Sequence, residues 1–259
     1  MDLEIAGRWA VVCGASKGLG RACALALARE GVNVVMAART RAPLDESRAQ
    51  IEAETGVQVI AVQADITTVP GREQVLDAAP RIDILVTNAG GPPPGDFRSL
   101  AREDWLAALE ANMLAPIELI RHAVGPMIER RFGRIVNITS SAAKAPVDIL
   151  CLSNGARAGL SGFAGGAARQ LARHNVTLNN LLPGKFDTGR LRSNNAARAR
   201  RAGVPLQDEV QSQIRAIPAG RFGDPIEFGE ACAFLCGARA GYITGQNILI
   251  DGGAYPGLF

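Results

Sequence analysis

The chain has 259 residues, a length typical of one doubly wound sheet with helices on both faces. Hydrophobic residues make up 47% of it and charged residues 20%, so the chain can bury a large core, which argues against disorder. The net charge of +3 is too small for whole-surface attraction to nucleic acid.

The sequence also argues against export and membrane insertion. Its first residues carry two acids and no apolar run, which predicts no signal peptide. No stretch reaches the roughly 18 uncharged apolar residues of a membrane span. The five cysteines are an odd number without disulfide-framework spacing, and Cys232 and Cys236 lack the His or Cys partners of a zinc site. We therefore expect a cytoplasmic, reduced protein without a metal and with neither nucleic acid nor a membrane as partner.

Short apolar runs rich in β-branched residues alternate with longer amphipathic stretches, and no repeat or linker divides the chain. The predicted strands are Trp9–Cys13, Asn33–Ala37, Val57–Val62, Ile82–Val86, Arg134–Ile138, Val176–Leu181 and Asn247–Ile250. The predicted helices include Gly18–Glu30, Leu44–Glu54, Arg102–Arg130, Ser153–Arg173 and Pro225–Cys236. Strands that are apolar on both faces, each followed by a helix, indicate a parallel sheet with right-handed crossovers. We predict one domain over residues 1–259, a doubly wound Rossmann-type α/β/α fold of about seven parallel strands.

One segment, residues 188–222, contains no predicted strand. It is rich in arginines, among them Arg190, Arg192, Arg198, Arg200 and Arg201. An insert between the sixth and seventh strands lies above the strand carboxyl ends, where open α/β sheets bind ligands. Two interpretations stay open: a solvated helical face, or a mobile lid whose arginines meet an anionic substrate.

The first strand is followed by a glycine-rich turn that opens a helix, Gly14-Ala15-Ser16-Lys17-Gly18-Leu19-Gly20. Its three glycines permit a tight turn and let the backbone approach a pyrophosphate, which the free N–H groups and positive dipole end of the helix can bind. A glycine turn between a strand and a helix predicts a dinucleotide site.

The second strand leads into Arg39, nineteen positions after Gly20. An acidic residue there would bind the ribose 2′-hydroxyl of NAD, whereas an arginine meets a 2′-phosphate. The alternative is a plain surface arginine. Because Lys17 and Arg41 add positive charge nearby, we predict NADP(H) as the cofactor, in preference to NAD(H).

Further motifs follow the later strands in order. They are Asp65, Asn88-Ala89-Gly90, Asn112, Ser140, Pro183-Gly184-Lys185-Phe186-Asp187-Thr188, and Ile243-Thr244-Gly245 leading to Asp251-Gly252-Gly253. Together with the glycine turn, they resemble the motifs of the short-chain dehydrogenase/reductase family over essentially the whole chain. The resemblance implies an oxidoreductase that moves hydride between a nicotinamide and a ketone or secondary alcohol, similar to the 3-oxoacyl reductases that act on carrier-protein thioesters.

The resemblance also implies roles for these residues. Asp65 and Ile66 would contact the adenine, while Asn88, Ala89 and Gly90 would line the cofactor. Around the nicotinamide and pyrophosphate it places Pro183, Gly184, Phe186 and Thr188. Asn112 and Ser140 would belong to the catalytic group.

The catalytic motif departs from the family. The family usually has Tyr-x-x-x-Lys about thirteen residues after the serine, and here those positions are Ser153 and Arg157, with Ala158-Gly159-Leu160 fixing the alignment. An aliphatic hydroxyl is far less acidic than a phenol, whose unperturbed pKa is about 10, and an arginine stays protonated. Ser153 and Arg157 share one helix face and can donate hydrogen bonds toward a substrate oxygen, but they are poor acid–base partners.

Three interpretations follow. In the favoured one the protein is an active reductase whose catalytic group is Asn112, Ser140, Ser153 and Arg157. The candidate proton sources are then water, Lys144, Asp148, Cys151, Lys185 and Tyr255. In the second the protein performs non-redox chemistry on an anionic substrate; in the third it binds NADP(H) without catalysis.

The substrate expected from this reasoning is a small molecule, anionic or an acyl thioester. The small residues that crowd the helix after Ser153, among them Gly159, Gly162, Gly165 and Gly166, allow close approach of a neighbouring helix. In the family that helix packs against its own copy. The resemblance therefore implies a homodimer or homotetramer.

Overall fold

In the computed structural model, which describes residues 2–258, one parallel sheet holds seven strands in the order β3-β2-β1-β4-β5-β6-β7. The strands are β1 (Trp9–Cys13), β2 (Asn33–Ala38), β3 (Val59–Gln63), β4 (Ile84–Thr87), β5 (Gly133–Ile138), β6 (Val176–Pro183) and β7 (Asn247–Ile250). All seven predicted strands are present, and their ends differ from the prediction by no more than two residues. The predicted doubly wound Rossmann-type fold is confirmed.

Helices cover both faces of the sheet. They are α1 (Gly18–Arg29), α2 (Arg41–Thr55), α3 (Val69–Asp77), α4 (Arg102–Leu109), α5 (Ala115–Glu129), α6 (Cys151–Leu171), α7 (Gly189–Ala202), α8 (Leu206–Arg215) and α9 (Pro225–Cys236). The predicted helix over 102–130 is divided, because a wider π-helical turn at Glu110–Leu114 separates α4 from α5. The sequence prediction did not include α3, whose N-terminus is capped by the Thr68 hydroxyl accepting from the Gly71 N–H.

Alternate side chains of the buried strands enter two cores, one on each face of the sheet. Ala10 and Val12 of β1 pack toward α1 and α9, whereas Val11 and Cys13 pack toward α5 and α6. Helices α1 and α9 lie close together at Gly229, where a Cβ would stand 2.4 Å from the Ala22 carbonyl oxygen.

A charged cluster closes the amino ends of the strands. The buried Asp83 carboxylate lies within 4 Å of the guanidinium groups of Arg8, Arg81 and Arg130, and it accepts the Trp9 N–H at 3.0 Å. This cluster is at the opposite edge from the loops that follow the strands. At the carboxyl edge the strand order reverses between β1 and β4, and open α/β sheets bind ligands at such a position.

The insert between β6 and α9 consists of α7 and α8 and contains no strand, as predicted; Phe186 and Gly223 form an isolated bridge at its base. Within residues 2–258, no helix is both long and apolar enough to cross a membrane. The same residues hold no cluster of three or more potential metal ligands.

Candidate functional site

In the glycine turn after β1, Gly14 and Gly20 have no room for side chains. Gly14 and Gly18 both have φ of +61°, in the left-handed region. A Cβ on Gly14 would lie 2.6 Å from the Asn88 side-chain nitrogen, and one on Gly20 would lie 2.3 Å from the Gly14 carbonyl oxygen. These contacts let α1 begin directly above the end of β1.

The start of α1 offers unsatisfied N–H groups. Its N-cap residue, Lys17, is exposed and extended, no side chain caps the helix, and its first turn holds no acid. The neighbouring Ser16 is fixed by its carbonyl, which accepts the Ser47 hydroxyl at 2.8 Å. Free N–H groups at a positive dipole end, with glycines that open the backbone, fit the pyrophosphate of a dinucleotide.

A positive side chain marks the end of β2. Arg39 is exposed there, and its carbonyl accepts a hydrogen bond from Gln63 at 3.1 Å. Arg41, which the sequence offered as a second cation, is paired with Asp45 at 2.6 Å on its own helix. Arg39 and Lys17 are therefore the side chains that fit a 2′-phosphate.

Asp65, after β3, is organised by its own loop. Burial raises the pKa of its carboxyl, but two hydrogen bonds from Thr67 and the charge of Arg39 outweigh this effect and hold the pKa below its usual value. The next residue, Ile66, is buried against the core that faces α5 and α6. The pair fits the predicted adenine edge as an ionised carboxylate beside an apolar side chain.

Two loops converge on the glycine turn from the other strands. The Asn88 amide lies 3.5 Å from the Gly14 carbonyl oxygen, which joins the Asn88-Ala89-Gly90 loop after β4 to the turn. Thr188 caps α7 by accepting the Leu191 N–H at 3.3 Å, and its methyl lies 3.6 Å from where a Gly18 Cβ would stand. The starts of α1 and α7 thus face each other across the predicted pyrophosphate position.

The end of β6 is held by its neighbours. A Cβ on Gly184 would lie 2.7 Å from the Asp251 Cα, so the strand end fits closely against the segment after β7. Pro183 ends β6, and the buried Phe186 ring packs edge-on against Phe228 at a centroid distance of 5.3 Å. This wall is where the family resemblance places the nicotinamide.

Ser140, which follows β5, has its hydroxyl oriented by the backbone. Its Oγ accepts the Ala142 N–H at 3.1 Å and so caps the short 3-10 turn Ser141–Ala143. Because this bond uses a lone pair, the hydroxyl hydrogen can be donated to a substrate oxygen.

Asn112 lies in the π-helical turn between α4 and α5. Its amide nitrogen donates to the Ala108 carbonyl at 3.4 Å, and its buried Oδ1 has no hydrogen-bond partner among the described residues. The extra residue of a π-helical turn reorients side chains and is frequent at functional sites. Here it turns Asn112 into the molecule, beside Arg157.

Arg157 differs from the prediction that it donates toward a substrate oxygen. Its guanidinium is buried and donates to two backbone carbonyls, those of Ile138 at 2.8 Å and Ala89 at 3.3 Å. Burial, with the nearby charge of Arg190, lowers the pKa of Arg157 to about 10, so the group remains charged at neutral pH. These two hydrogen bonds join the loop after β4 to the end of β5, because the planar guanidinium can donate to both carbonyls at once.

Ser153 lies one helical turn before Arg157 on the buried face of α6. Its own hydroxyl is thus the group of the predicted Ser–Arg pair that remains for a substrate oxygen. The predicted catalytic group lies in the elements that follow β4 and β5: Asn112, Ser140, Ser153 and Arg157. Its serines can donate hydrogen bonds, whereas Arg157 bonds to the backbone.

The candidate proton sources have different surroundings. The Cys151 thiol donates to the carbonyl of the exposed Asp148 at 3.1 Å. Burial and the charge of Arg198 lower the pKa of Lys185, against an opposing effect of Glu209. The remaining two candidates contact each other, since the Lys144 ammonium lies 5.0 Å from the centroid of the Tyr255 ring.

The insert arginines have separate roles. Arg190 donates to the Gly91 carbonyl at 3.0 Å, which attaches the start of α7 to the loop after β4. Arg192 pairs with Asp187 at 2.8 Å, while Arg200 and Arg201 are exposed in the last turn of α7, where cations favour the helix dipole. Only Arg198, beside Lys185, retains the surroundings expected of a lid arginine that meets an anion.

Two features of this site were not predicted from the sequence. The Arg190–Gly91 contact joins residues 99 positions apart, and no local pattern encodes it. The second is Asp251, whose carboxylate accepts the N–H groups of Gly253 and Tyr255 and orders the tail after β7. The Asp251-Gly252-Gly253 motif contributed to the family resemblance, without indicating that Asp251 holds Tyr255.

Comparison with known proteins decides the family. The family model described as short chain dehydrogenase matches residues 8–199. The chain belongs to the short-chain dehydrogenase family. It is therefore an oxidoreductase of the short-chain type.

Individual relatives cover almost the whole chain. The 3-oxoacyl-[acyl-carrier-protein] reductase FabG of Vibrio cholerae is 33% identical, over 98% of this chain and 99% of the relative. A (2S)-[(R)-hydroxy(phenyl)methyl]succinyl-CoA dehydrogenase subunit, BbsD of Thauera aromatica, is 32% identical, over 97% of this chain and 98% of the relative. The structure of L-sorbose reductase from Gluconobacter frateurii, complexed with NADPH and L-sorbose, superposes with a TM-score of 0.95 at 30% identity and covers 100% of both chains.

Proposed function

We propose that this protein is an NADP(H)-dependent reductase that interconverts a ketone and a secondary alcohol. The observation that carries the proposal is the complete dinucleotide cradle: a turn in which Gly14 and Gly20 have no room for side chains, an uncapped helix start, and an exposed Arg39 at the end of β2. When bound, the dinucleotide supplies or takes up the hydride.

Different residues of the cradle would bind different parts of the cofactor. The turn and start of α1, with Gly14, Ser16, Gly18, Leu19 and Gly20, would hold the pyrophosphate. Arg39 and Lys17 would hold the 2′-phosphate, and Asp65 and Ile66 the adenine. Asn88, Ala89 and Gly90 would line the middle, and the last group, Pro183, Gly184, Phe186 and Thr188, would hold the nicotinamide end. NADPH in the L-sorbose reductase structure supports the choice of NADP(H).

The substrate oxygen would be held by hydroxyl groups. Ser140 has its hydrogen available for donation, and Ser153 lies on the neighbouring helix face. Asn112 and Arg157 would act as positioning residues, because Arg157 fixes the loop after β4 against the end of β5.

An acyl thioester is the substrate class that we favour. The V. cholerae relative is named for a carrier-protein thioester and the T. aromatica relative for a coenzyme A thioester. Lys185 and Arg198 add cations near the end of β6, which would suit the phosphate that both carriers contain.

The test is a steady-state assay of NADPH oxidation with 3-oxoacyl thioesters, simple ketones and a ketose as substrates. The proposal expects turnover with the thioesters, at least tenfold weaker binding of NADH than of NADPH, and a raised KM for the thioester in Arg198→Ala. Binding of NADPH without oxidation across this panel would contradict it.

The second candidate function is NADP(H) binding without catalysis. The burial of Arg157 and its bonds to two carbonyls favour it, because no group at the Ser153–Arg157 positions can exchange a proton near neutral pH. Measuring binding and turnover on the same preparation separates the two: this candidate retains the tight binding and shows no turnover.

A further inference from the structure

The proposed reduction needs a proton donor for the substrate oxygen, and the usual tyrosine position holds Ser153. Tyrosine occurs in the chain only as Tyr242 and Tyr255. Tyr242 is fully exposed, at 102% of the reference value, whereas Tyr255 is partly buried. Tyr255 is therefore the better candidate for the proton donor.

Tyr255 is held at the carboxyl edge of the sheet. Its N–H donates to the Asp251 carboxylate at 2.8 Å, and Asp251 lies against Gly184 at the end of β6. The C-terminal tail therefore does not leave the molecule after β7 but is fastened beside the strand end that we assign to the nicotinamide.

A lysine from the turn after β5 lies beside the Tyr255 ring. Lys144 ends the turn that Ser140 begins, and its ammonium lies 5.0 Å from the centroid of the Tyr255 ring. With a rise of about 2 Å per residue in a 3-10 turn, Lys144 is within about 8 Å of Ser140 along the backbone. Strands β5 and β6 are adjacent, so the Ser140 turn that leads to Lys144 and the end of β6 that contacts Asp251 lie side by side at the carboxyl edge.

The end of the tail covers the phenol. A Cβ on Gly257 would stand 2.4 Å from the Tyr255 hydroxyl oxygen, so the chain turns back across the ring where only glycine fits. This contact shields the hydroxyl from one side and fixes its position.

We propose that Tyr255 is the catalytic acid of this enzyme and that Lys144 is its cationic partner. Tyr255 from the C-terminal tail and Lys144 from the turn after β5 would together supply what Tyr-x-x-x-Lys supplies from α6 in the family. This inference rests on the proposed reductase function and adds to it the identity of the proton donor.

The step balances as follows. The carbonyl carbon of the substrate gains a hydride, its C=O π electrons move to the oxygen, and that oxygen takes the proton of the Tyr255 hydroxyl. The ketone is reduced by two electrons to the secondary alcohol, and NADPH is oxidised to NADP⁺. The phenolate left on Tyr255 is stabilised by the Lys144 ammonium and regains a proton from solvent.

The decisive variant is Tyr255→Phe, because it keeps the ring and its contact with Lys144 while removing only the hydroxyl. We expect kcat for thioester reduction to fall by about 100-fold or more, with NADPH affinity unchanged. Tyr242→Phe, the matched control, should retain full turnover.

The role of Lys144 is tested by removing its charge and then restoring it. Lys144→Met should lower kcat about tenfold, whereas Lys144→Arg should restore kcat, because the positive charge and its contact with the ring return. Gly257→Ala should lower kcat without changing NADPH affinity, since it displaces the phenol.

Several results would overturn the assignment. One is a Tyr255→Phe enzyme that keeps more than half of the wild-type kcat, which would mean that the Lys144–Tyr255 contact only anchors the tail. A large loss in Lys185→Met alongside an active Tyr255→Phe would move the proton donor to Lys185. A wild-type protein that binds NADPH but reduces none of the carbonyls would contradict the proposed function itself, and this inference with it.

Discussion

The Ser140 hydroxyl is the residue-scale feature most directly tied to the proposed chemistry. The Ala142 N–H occupies one of its lone pairs and leaves its hydrogen for the substrate. We expect Ser140→Ala to lower kcat by about 100-fold, as removal of one preorganised donor typically does, with NADPH affinity unchanged. Stopped-flow measurement of the hydride-transfer step checks this, and an unaltered rate would remove Ser140 from the catalytic group.

Arg157 shows where residue-scale prediction from sequence ends. The sequence placed it correctly on one face of α6 with Ser153, because i and i+4 positions share a face. The direction of its guanidinium depends instead on the carbonyls of Ile138 and Ala89, which come from other strands. Tertiary contacts of this kind have no local signature in the sequence. Only the structure therefore shows that Arg157 donates to these two carbonyls, where the sequence predicted donation to a substrate oxygen.

The two hydrogen bonds of Arg157 to backbone carbonyls should stabilise the fold. In Arg157→Lys a single ammonium replaces the fork and retains the buried charge, so at least one charge-assisted hydrogen bond to a backbone carbonyl is lost. We expect the free energy of unfolding to fall by about 1.5–3 kcal/mol. Urea denaturation measures this change.

The matched control is Arg201→Lys, exposed in the last turn of α7, which should change stability by less than about 0.5 kcal/mol. Equal effects of the two substitutions would mean that the bonds of Arg157 to Ile138 and Ala89 contribute nothing measurable.

Among the elements, the glycine turn ties the fold to the proposed cofactor most closely. A Cβ at position 20 would meet the Gly14 carbonyl at 2.3 Å, so Gly20→Ala must push α1 away from the end of β1. We expect NADPH affinity to fall by at least about tenfold, because the helix N–H groups leave their positions. Isothermal titration calorimetry measures the effect.

Gly125→Ala serves as the control for this substitution. Gly125 lies within α5, where a Cβ would meet nothing within 4 Å, so alanine should leave NADPH affinity unchanged and stabilise the helix slightly. A Gly20→Ala protein that binds NADPH as tightly as the wild type would exclude the turn from the cofactor site.

The differences between predicted and observed elements have local causes. Strands were predicted well because β-branched runs buried on both faces are distinctive. Helix α3 was not among the helices named from the sequence; Pro70 lies in its first turn, where proline is favoured. The division of the helix over 102–130 had a signal in Pro116, which cannot donate to the helical ladder.

On the scale of the whole molecule, the assembly proposed from the family resemblance has a structural basis in α6. Gly159 packs inward against Met113, whereas at Gly162, Gly165 and Gly166 a Cβ would meet nothing within 4 Å, so the outer face of the helix is open. We propose that this face meets a second copy of the chain in a homodimer or homotetramer.

Replacing a glycine on that face with a large side chain tests the proposal. Gly162→Trp should reduce the mass measured by light scattering at micromolar concentration, because the two helices can no longer approach closely. A wild-type protein that is already monomeric would contradict the proposed assembly.

Cofactor binding should stabilise the whole fold, since the cradle is assembled from loops after β1, β2, β3, β4 and β6 that the unfolded chain does not hold together. At a NADPH concentration of 100 times Kd, linkage gives about 2.7 kcal/mol, and a chain of this size converts that into a rise in Tm of about 5–10 °C. Differential scanning fluorimetry at matched concentrations of NADPH and NADH should show the larger rise with NADPH. Arg39→Ala should reduce that difference while leaving the NADH response intact, because the 2′-phosphate loses one of its two cationic partners and keeps Lys17. Equal responses to the two cofactors in the wild type would instead assign Arg39 to the protein surface and NAD(H) to the cradle.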